Sequence, residues 1–596
     1  MEYFRIISWL FLTIIFLGCT HVWATQPLNQ NARDVVAESP IGQVNANPLS
    51  FGAKGDARYK TSGDGNALIS GTDDTAALTL FLSDRKKTNS TGSHFGGSSL
   101  HLGSNVFKIT GAFTINDHYT TVTGEGYGTS VIHALTSGGN IDTPVITFNK
   151  GATGDAWNDL LSGGGLKELT LKTDASSRRN TGLLLDYAEY MRFSDITIEG
   201  FGLSAIKAGL WESTFSDLKL FGIGANQTAV GGVPVTGVID FDSGVMTNPY
   251  RDASNNTLFS KITFSGCYGT HIKLDAHKNR TTNIHFNGFA LETDPYAAAD
   301  LGPVHELPFI YHHRAENSAI TNGFATVHST GLPHSAVFLK MVETGGSTFG
   351  FSNFQFNMSP DLGVNKRAPR RMRSFASLDG PNTILSLNNV TIWDPSDSIG
   401  YDVAGGRPAL FEGTGQVTFN GLSIQTLRGK EGGLRRATNV FARSLKSTGI
   451  MTFVPITVTG ADIGSTAFYK FNNGAITLFA DAIPSIIDTW AVGDKIEYKT
   501  VGAGGYSGLI CTQAGTSGTL AGVTGSVTSG GNTITVNDAS KLLVGDWIRL
   551  SGGAAYNLII GISGNVLTVG REPNTVTNGA LTFHPPIWKG FGAIAP

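Results

Sequence analysis

Val238-Ile239-Asp240-Phe241-Asp242, His271-Ile272-Lys273-Leu274-Asp275 and Phe309-Ile310-Tyr311-His312-His313 are three copies of one short pattern, and the fold is read from them. One alternate set is mostly apolar: Ile239 and Phe241, Ile272 and Leu274, Ile310 and His312. The other set is polar or aromatic: Asp240 and Asp242, Lys273 and Asp275, Tyr311 and His313. A period of two marks a strand with one buried and one exposed face. The copies recur after 33 and 38 residues, the signature of a coil in which each turn lays a parallel strand on the last. Stacked strands lie about 4.8 Å apart. Asp242, Asp275 and His313 are therefore expected in one outward column, with Asp240, Lys273 and Tyr311 in the column beside it.

Outward from this stretch, the first column is expected to continue as Asp186 and Gly209 before it, and Lys340, Asp379 and Glu412 after it. A third column reads Glu189, Glu212, Val245, Lys278, Glu316 and Glu343. A second phrase follows most copies of the first. It begins at Leu166, Phe193, Phe215, Phe259, Phe286, Phe351, Leu387 and Phe419, with apolar residues first, fourth and sixth. Its third residue is often Gly or small and polar, so each copy reads as a strand entered through a tight bend. Variable spacing between copies means that the strands repeat while the connecting loops vary, and such loops commonly shape a binding site.

Towards the N-terminus, Phe51-Gly52-Ala53-Lys54-Gly55-Asp56 precedes Asp73-Asp74-Thr75-Ala76-Ala77-Leu78. Acidic residues ahead of an Ala/Leu run predict a helix start, and the helix should reach about Ser83. This pair of motifs resembles the opening of the pectate-lyase-like superfamily of right-handed parallel β-helices, which includes rhamnogalacturonase-like and epimerase-like proteins and phage tailspike depolymerases. The resemblance implies an all-β solenoid with a helix capping its otherwise unpaired N-terminal end. It carries no catalytic residues. The arginine and calcium-ligand pattern of true pectate lyases is not found.

The expected organisation is a signal peptide (1–24), a flexible leader (25–47), the capped β-helix (48–435), a β-rich region (436–524), a small β module inserted at 525–583 and a tail (584–596). The module is read from short β runs such as Asn532–Val536 and Trp547–Leu550, separated by Gly/Asn/Ser turns. The segments flanking it, Gly505–Thr519 and Pro586–Ile594, resemble the ends of tailspike-type β-helices.

Composition agrees with a turn-rich β protein. Gly contributes 76 of 596 residues, charged residues only 15% and aromatics 10%, which excludes general disorder. A net charge of −3 gives no footprint for nucleic acid. Arg5, the apolar run Ile6–Leu17 and Val22-Trp23-Ala24 read as a secretory signal, too short to span a membrane; a lipoprotein site at Cys19 is the weaker reading. A secreted protein with no membrane segment after signal removal is expected. Cys267 and Cys511 are the cysteines left, and neither a disulfide framework nor a metal site is expected.

The two central columns are where chemistry is expected. Glycoside hydrolysis needs an acid and a second carboxylate about 5–5.5 Å away in retaining enzymes or about 6.5–9.5 Å in inverting ones. Asp242 with Asp275, or Asp240 with Asp242, meet such spacings, and Lys273 would pair with them. β-Elimination needs instead a base at C5 of a uronic acid and a cation for the enolate-like intermediate. Tyr311, His313, Lys273, Lys340 and Arg314 offer those roles. Substrate-binding candidates are Lys340, His277, Glu212, Glu316, Glu292 and Trp211, with Trp393 and Tyr401 as further stacking surfaces. His277, Glu212, Glu316 and Glu292 each read alone more often as surface residues, and the aromatic residues equally as edges of the core. The expected function is cleavage of an extracellular, capsular or plant-type polysaccharide without a cofactor, hydrolysis preferred over β-elimination. A non-catalytic glycan-binding solenoid and a phage tailspike are the alternatives. Against a tailspike stand the signal-like N-terminus and the short stretch before Phe51. A homotrimer is implied by the tailspike resemblance.

Overall fold

The third residue of the repeated phrase decides its geometry. Glu168, Asp195, Asp217, Lys261, Gly288, Asn353, Asn389 and Gly421 all hold left-handed backbone, with φ from 50° to 79°. One residue in this conformation swings the strand through a corner, and Gly, Asn and Asp adopt it at least cost. Apolar residues on both sides of the corner then face inward. Residue one of the phrase runs in parallel register from Leu166 through Phe193, Phe215, Phe259 and Phe286 to Ile320, Phe351, Leu387 and Phe419. Phe193, Phe215 and Phe259 stack face to face at 4.5 Å, and Phe259 on Phe286 at 4.8 Å. The ring spacing is that of the strands themselves.

The structure, a computed structural model, describes residues 47–59, 68–84, 99–136, 141–151, 160–174, 178–242, 254–275, 281–293, 307–328, 337–342, 346–359, 372, 374–394, 411–426, 446–455, 467–472, 475–479, 489–498, 500–501, 505–517, 519–540, 542 and 545–594. The expected signal peptide, nearly all of the leader, His277 and Tyr401 lie outside these residues, as do Val245, Lys278 and Glu343 of the third column. Asp242 and Glu412 are described by their backbone alone.

The chain forms a parallel β-helix. Each turn carries a short strand from the first pattern and a long, cornered strand from the second. Short strands at Ile239–Asp242, Ile272–Asp275, Ile310–His313, Val337–Val342 and Ser374–Asp379 pair in sequence. Long strands from Asn255–Ser265 to Gln416–Thr426 do the same. The interior is one continuous hydrophobic core, in which Ile262, Phe264, Phe286, Leu291, Phe351 and Leu387 are fully buried, each side chain contributing about 1.5–3 kcal/mol. A copy of the phrase that lacks its apolar fourth residue, Ile320 to Ala325, also belongs to the ladder. Gly323 takes the inward place, where a Cβ would meet Phe289 O at 2.6 Å; the Phe289 and Phe354 rings lie 6.2 Å apart.

The "FGAKGD…DDTAAL" motif is a self-locking loop. Asp74, 1% exposed, accepts from Lys54 N–H (2.6 Å) and Gly55 N–H (3.1 Å). Asp56 accepts from Thr72 N–H and Oγ1, and Asp73 from Thr75 N–H and Oγ1 and from Thr110 Oγ1. The helix spans Thr75–Asp84, and its Leu78 and Phe81 are buried in the main core.

Beyond the parallel ladder, Tyr506–Gln513 pairs antiparallel with Ile587–Ala593, so the two segments that flank the module in sequence lie side by side. Between them the chain builds a seven-stranded sheet with its own hydrophobic cluster, including Ile534, Ile548, Leu550, Ile559 and Leu567. Cys267 and Cys511 are buried free thiols. Among the described residues no helix is long and apolar enough to cross a membrane.

Candidate active site

The two central columns form in the expected register. Asp242 pairs with Asp275 and Asp275 with His313; Asp240 pairs with Lys273 and Lys273 with Tyr311. Their surroundings differ from the expectation of a solvated face. Asp240, Asp275, Lys273 and Tyr311 are only 1–2% exposed. The charges persist there because they compensate one another. Lys273 Nζ lies 3.8 Å from Asp240 Oδ1 and 3.5 Å from Asp275 Oδ2, and donates to Val235 O at 3.1 Å. Asp240 and Asp275, on adjacent strands, thus share one ammonium, which stands beside Asp240 in the ladder and two residues before Asp275 on its own strand.

The other oxygen of Asp275, Oδ1, meets His313 Nδ1 at 2.8 Å. The His313 side chain is 19% exposed. Among the described side chains of this ionic chain it is the most exposed, and a carboxylate on Nδ1 leaves Nε2 as the nitrogen open to chemistry. Tyr311 and His313 ring centroids stand 6.4 Å apart. Burial, reinforced by the Asp275 charge, pushes the Tyr311 phenol up to about 12. At neutral pH it keeps its proton.

The continuation of the columns is corrected by the register. Lys340 pairs with Tyr311, and Val342 stands opposite His313. Glu412 likewise pairs with Ser377, not Asp379. Each slip is of two residues, which keeps the face, so alternation alone cannot detect it. Lys340 still reaches the site: its Nζ lies 4.0 Å from Asp379 Oδ2, and Ser377 Oγ donates to Asp379 Oδ1 at 2.9 Å. At the other end, Asp186 is buried and accepts from Asn149 Nδ2 at 2.6 Å.

The third column is also corrected. Glu189 pairs with Trp211, Trp211 with Asn255, Asn255 with Thr282 and Thr282 with Glu316. Glu212 falls one place later, at the corner, with φ 45°. Trp211 is half-buried, edge-on to Tyr187 at 6.2 Å. Glu316 is half-buried, while Glu292 is exposed at the end of a long strand. Asp379 keeps its expected place in the first column, through Val342, while Ser377, absent from the sequence-based candidates, stands beside Lys340 only in the true register. Among the described residues no group of three or more His, Cys, Asp or Glu side chains is arranged to hold a metal ion.

No protein-family model matches the chain, and no curated protein sequence matches it significantly. Several solved structures are similar to it at low identity. The ORF18 protein of Geobacillus virus E2 has 15% identity and a TM-score of 0.46, covering 93% of this chain and 79% of that one. The gp42 tailspike of Acinetobacter phage vb_AbaP_AS12 has 13% identity and a TM-score of 0.39, covering 91% and 83%. The alginate lyase from Paenibacillus sp. str. FPU-7 has 12% identity and a TM-score of 0.33, covering 53% and 93%. At such scores the chemistry of this chain has to be read from its own residues.

Proposed function

We propose that the chain is an extracellular polysaccharide depolymerase that cleaves a uronic-acid-containing glycan by β-elimination at His313. The observation that carries this reading is the His313–Asp275 contact of 2.8 Å at the most exposed described side chain of a buried ionic chain. A carboxylate on Nδ1 fixes the tautomer that presents a basic Nε2. Nε2 takes the proton from C5 of the uronic acid, and the C–H electron pair becomes the C4–C5 double bond. The C4–O bond breaks, and its electron pair leaves with the glycosidic oxygen, which takes the proton back from the imidazolium. No water is consumed. Lys340, one register step beyond Tyr311, is the cation placed to neutralise the sugar carboxylate as the enolate-like charge develops. Lys273 is a positioning residue that acts through Asp275.

Hydrolysis by Asp242 and Asp275 is the second reading. Asp275 is buried, with one oxygen at His313 and the other facing Lys273, a setting that suits orienting His313 better than transferring a proton to the sugar itself. The test is a variant series on uronate polymers. His313→Ala and Asp275→Asn should each lower turnover by about a hundredfold or more, with Glu292→Gln near wild type. Full activity in His313→Ala would sink the proposal.

A further inference from the structure

On several of the described turns a second left-handed corner follows the short strand, and backbone hydrogen bonds align its residues in a column. Tyr190 N–H donates to Trp211 O, Gly163 N–H to Glu189 O and Glu212 N–H to Asn255 O. On later turns the position is held by Asn256, Asn283 and Asn317, with φ of 49°, 56° and 52°, and Asn283 Nδ2 donates to Asn256 Oδ1 at 2.8 Å. Asn tolerates this conformation and bonds along the ladder. On earlier turns the corner residues are Tyr119 (58°), Gly163 (72°), Tyr190 (54°) and Glu212 (45°). Bulky tyrosines in left-handed backbone are outliers, and burial does not compensate them. Their side chains are 38% and 45% exposed.

The local arrangement keeps both rings in place. A Cβ on Gly163 would meet Tyr119 Cδ1 at 2.3 Å, so the missing side chain makes room for the ring. The Tyr190 hydroxyl hydrogen-bonds Glu212 on the next turn. Left-handed backbone kept at two partly exposed tyrosines, where Asn serves on later turns, points to function. An exposed ring beside a hydrogen-bonding carboxylate matches a sugar, with C–H groups on one face and hydroxyls at its edge.

We propose that Tyr119 and Tyr190 form a distal subsite that stacks on a pyranose ring of the same polysaccharide chain that is cleaved at His313. The inference rests on the depolymerase reading. The turn of Tyr190 lies four rungs from that of His313, through the paired strands at 204–211, 239–242 and 272–275. That is about 19 Å at about 4.8 Å per rung, a separation spanned by an oligosaccharide and not by one sugar. Glu189 and Glu212 beside the ring require a uronate held there to turn its carboxylate away.

The test uses the full chain with Tyr190→Asn and Tyr119→Ala. Affinity electrophoresis through gels containing alginate, polygalacturonate, hyaluronan or xanthan reads binding, and denaturant unfolding reads stability. Tyr190→Asn should be at least as stable as wild type, because Asn suits the corner, and its binding should weaken about tenfold, a loss of about 1.4 kcal/mol. Turnover of the shortest cleaved oligosaccharide should not change in either variant. Undiminished binding in both variants, or a less stable Tyr190→Asn, overturns the inference. Wild-type protein that is retarded yet cleaves nothing would remove the depolymerase reading and leave the subsite. Retardation by none of the four polymers counts against both.

Discussion

Replacing Lys273 with Met isolates the energetics of the buried column. The ammonium lies 3.5 Å from Asp275 and 3.8 Å from Asp240, and all three side chains are 1–3% exposed. With an effective dielectric constant of about 20, the two attractions amount to roughly 5 and 4 kcal/mol. Desolvation offsets much of this, so the cost of removing one partner is the useful figure, about 3–5 kcal/mol for a buried pair. Lys273→Met leaves two carboxylates on adjacent strands without their shared cation and should lose that amount. Because solenoid stability is mostly nearest-neighbour, the loss should concentrate at residues 239–242, 272–275 and 310–313, where hydrogen exchange would speed up by about two to four orders of magnitude. The triple variant Lys273→Met, Asp240→Asn, Asp275→Asn removes the charges together and should return close to wild-type stability, as charge-free replacements of buried pairs often do. Denaturant unfolding of the three proteins measures both effects. Unchanged stability in Lys273→Met, or a triple variant no better than the single one, would refute the compensation argument.

Other outcomes follow from the same structure. Burial pushes His271 and His312 down to about 4 and about 3, so the folded chain stays unprotonated where the unfolded chain binds protons from about pH 6.5. Stability should therefore be full above about pH 6.5 and fall as pH drops towards 4 and 3, by up to about 1.4 kcal/mol per unit for each histidine. Replacing His312 with Leu and its partner Ser347 with Ala should flatten this slope in unfolding curves recorded across that range. In the C-terminal sheet, buried Glu572 accepts from Ala554 N–H, Ala555 N–H, Asn574 N–H and Asn557 Nδ2. Glu572→Ala should cost about 3 kcal/mol or more by stranding these donors, read as early melting of that sheet. Deleting residues 525–583 should leave the cooperative unfolding of the β-helix intact, since the module's cluster is separate from the main core; loss of that transition would show the two to be one unit.

The fold was legible because its signals are local. The three copies around Asp240, Lys273 and Tyr311 gave the correct register, and the phrase with a small or polar third residue marked each corner. Ile320 to Ala325 escaped notice because Gly323 replaces the inward apolar residue that defines the phrase. Lys340 and Glu412 were placed two residues off because such a shift keeps the face of a strand. Burial of Asp240 and Asp275 was not legible at all. Alternation reports which side of the sheet a residue occupies, while what covers that side depends on other parts of the chain. For the same reason the alternation places Lys273 beside Asp240 and Asp275 but does not show its ammonium lying between their oxygens.

The account's central claim is that His313 drives an elimination that uses no water. The decisive measurement follows ultraviolet absorbance and new reducing ends together while wild-type protein digests a uronate polymer that retards it in gels. The account predicts one absorbing unsaturated uronate for each reducing end released, with both signals lost in His313→Ala. Reducing ends released without absorbance would establish hydrolysis and contradict it.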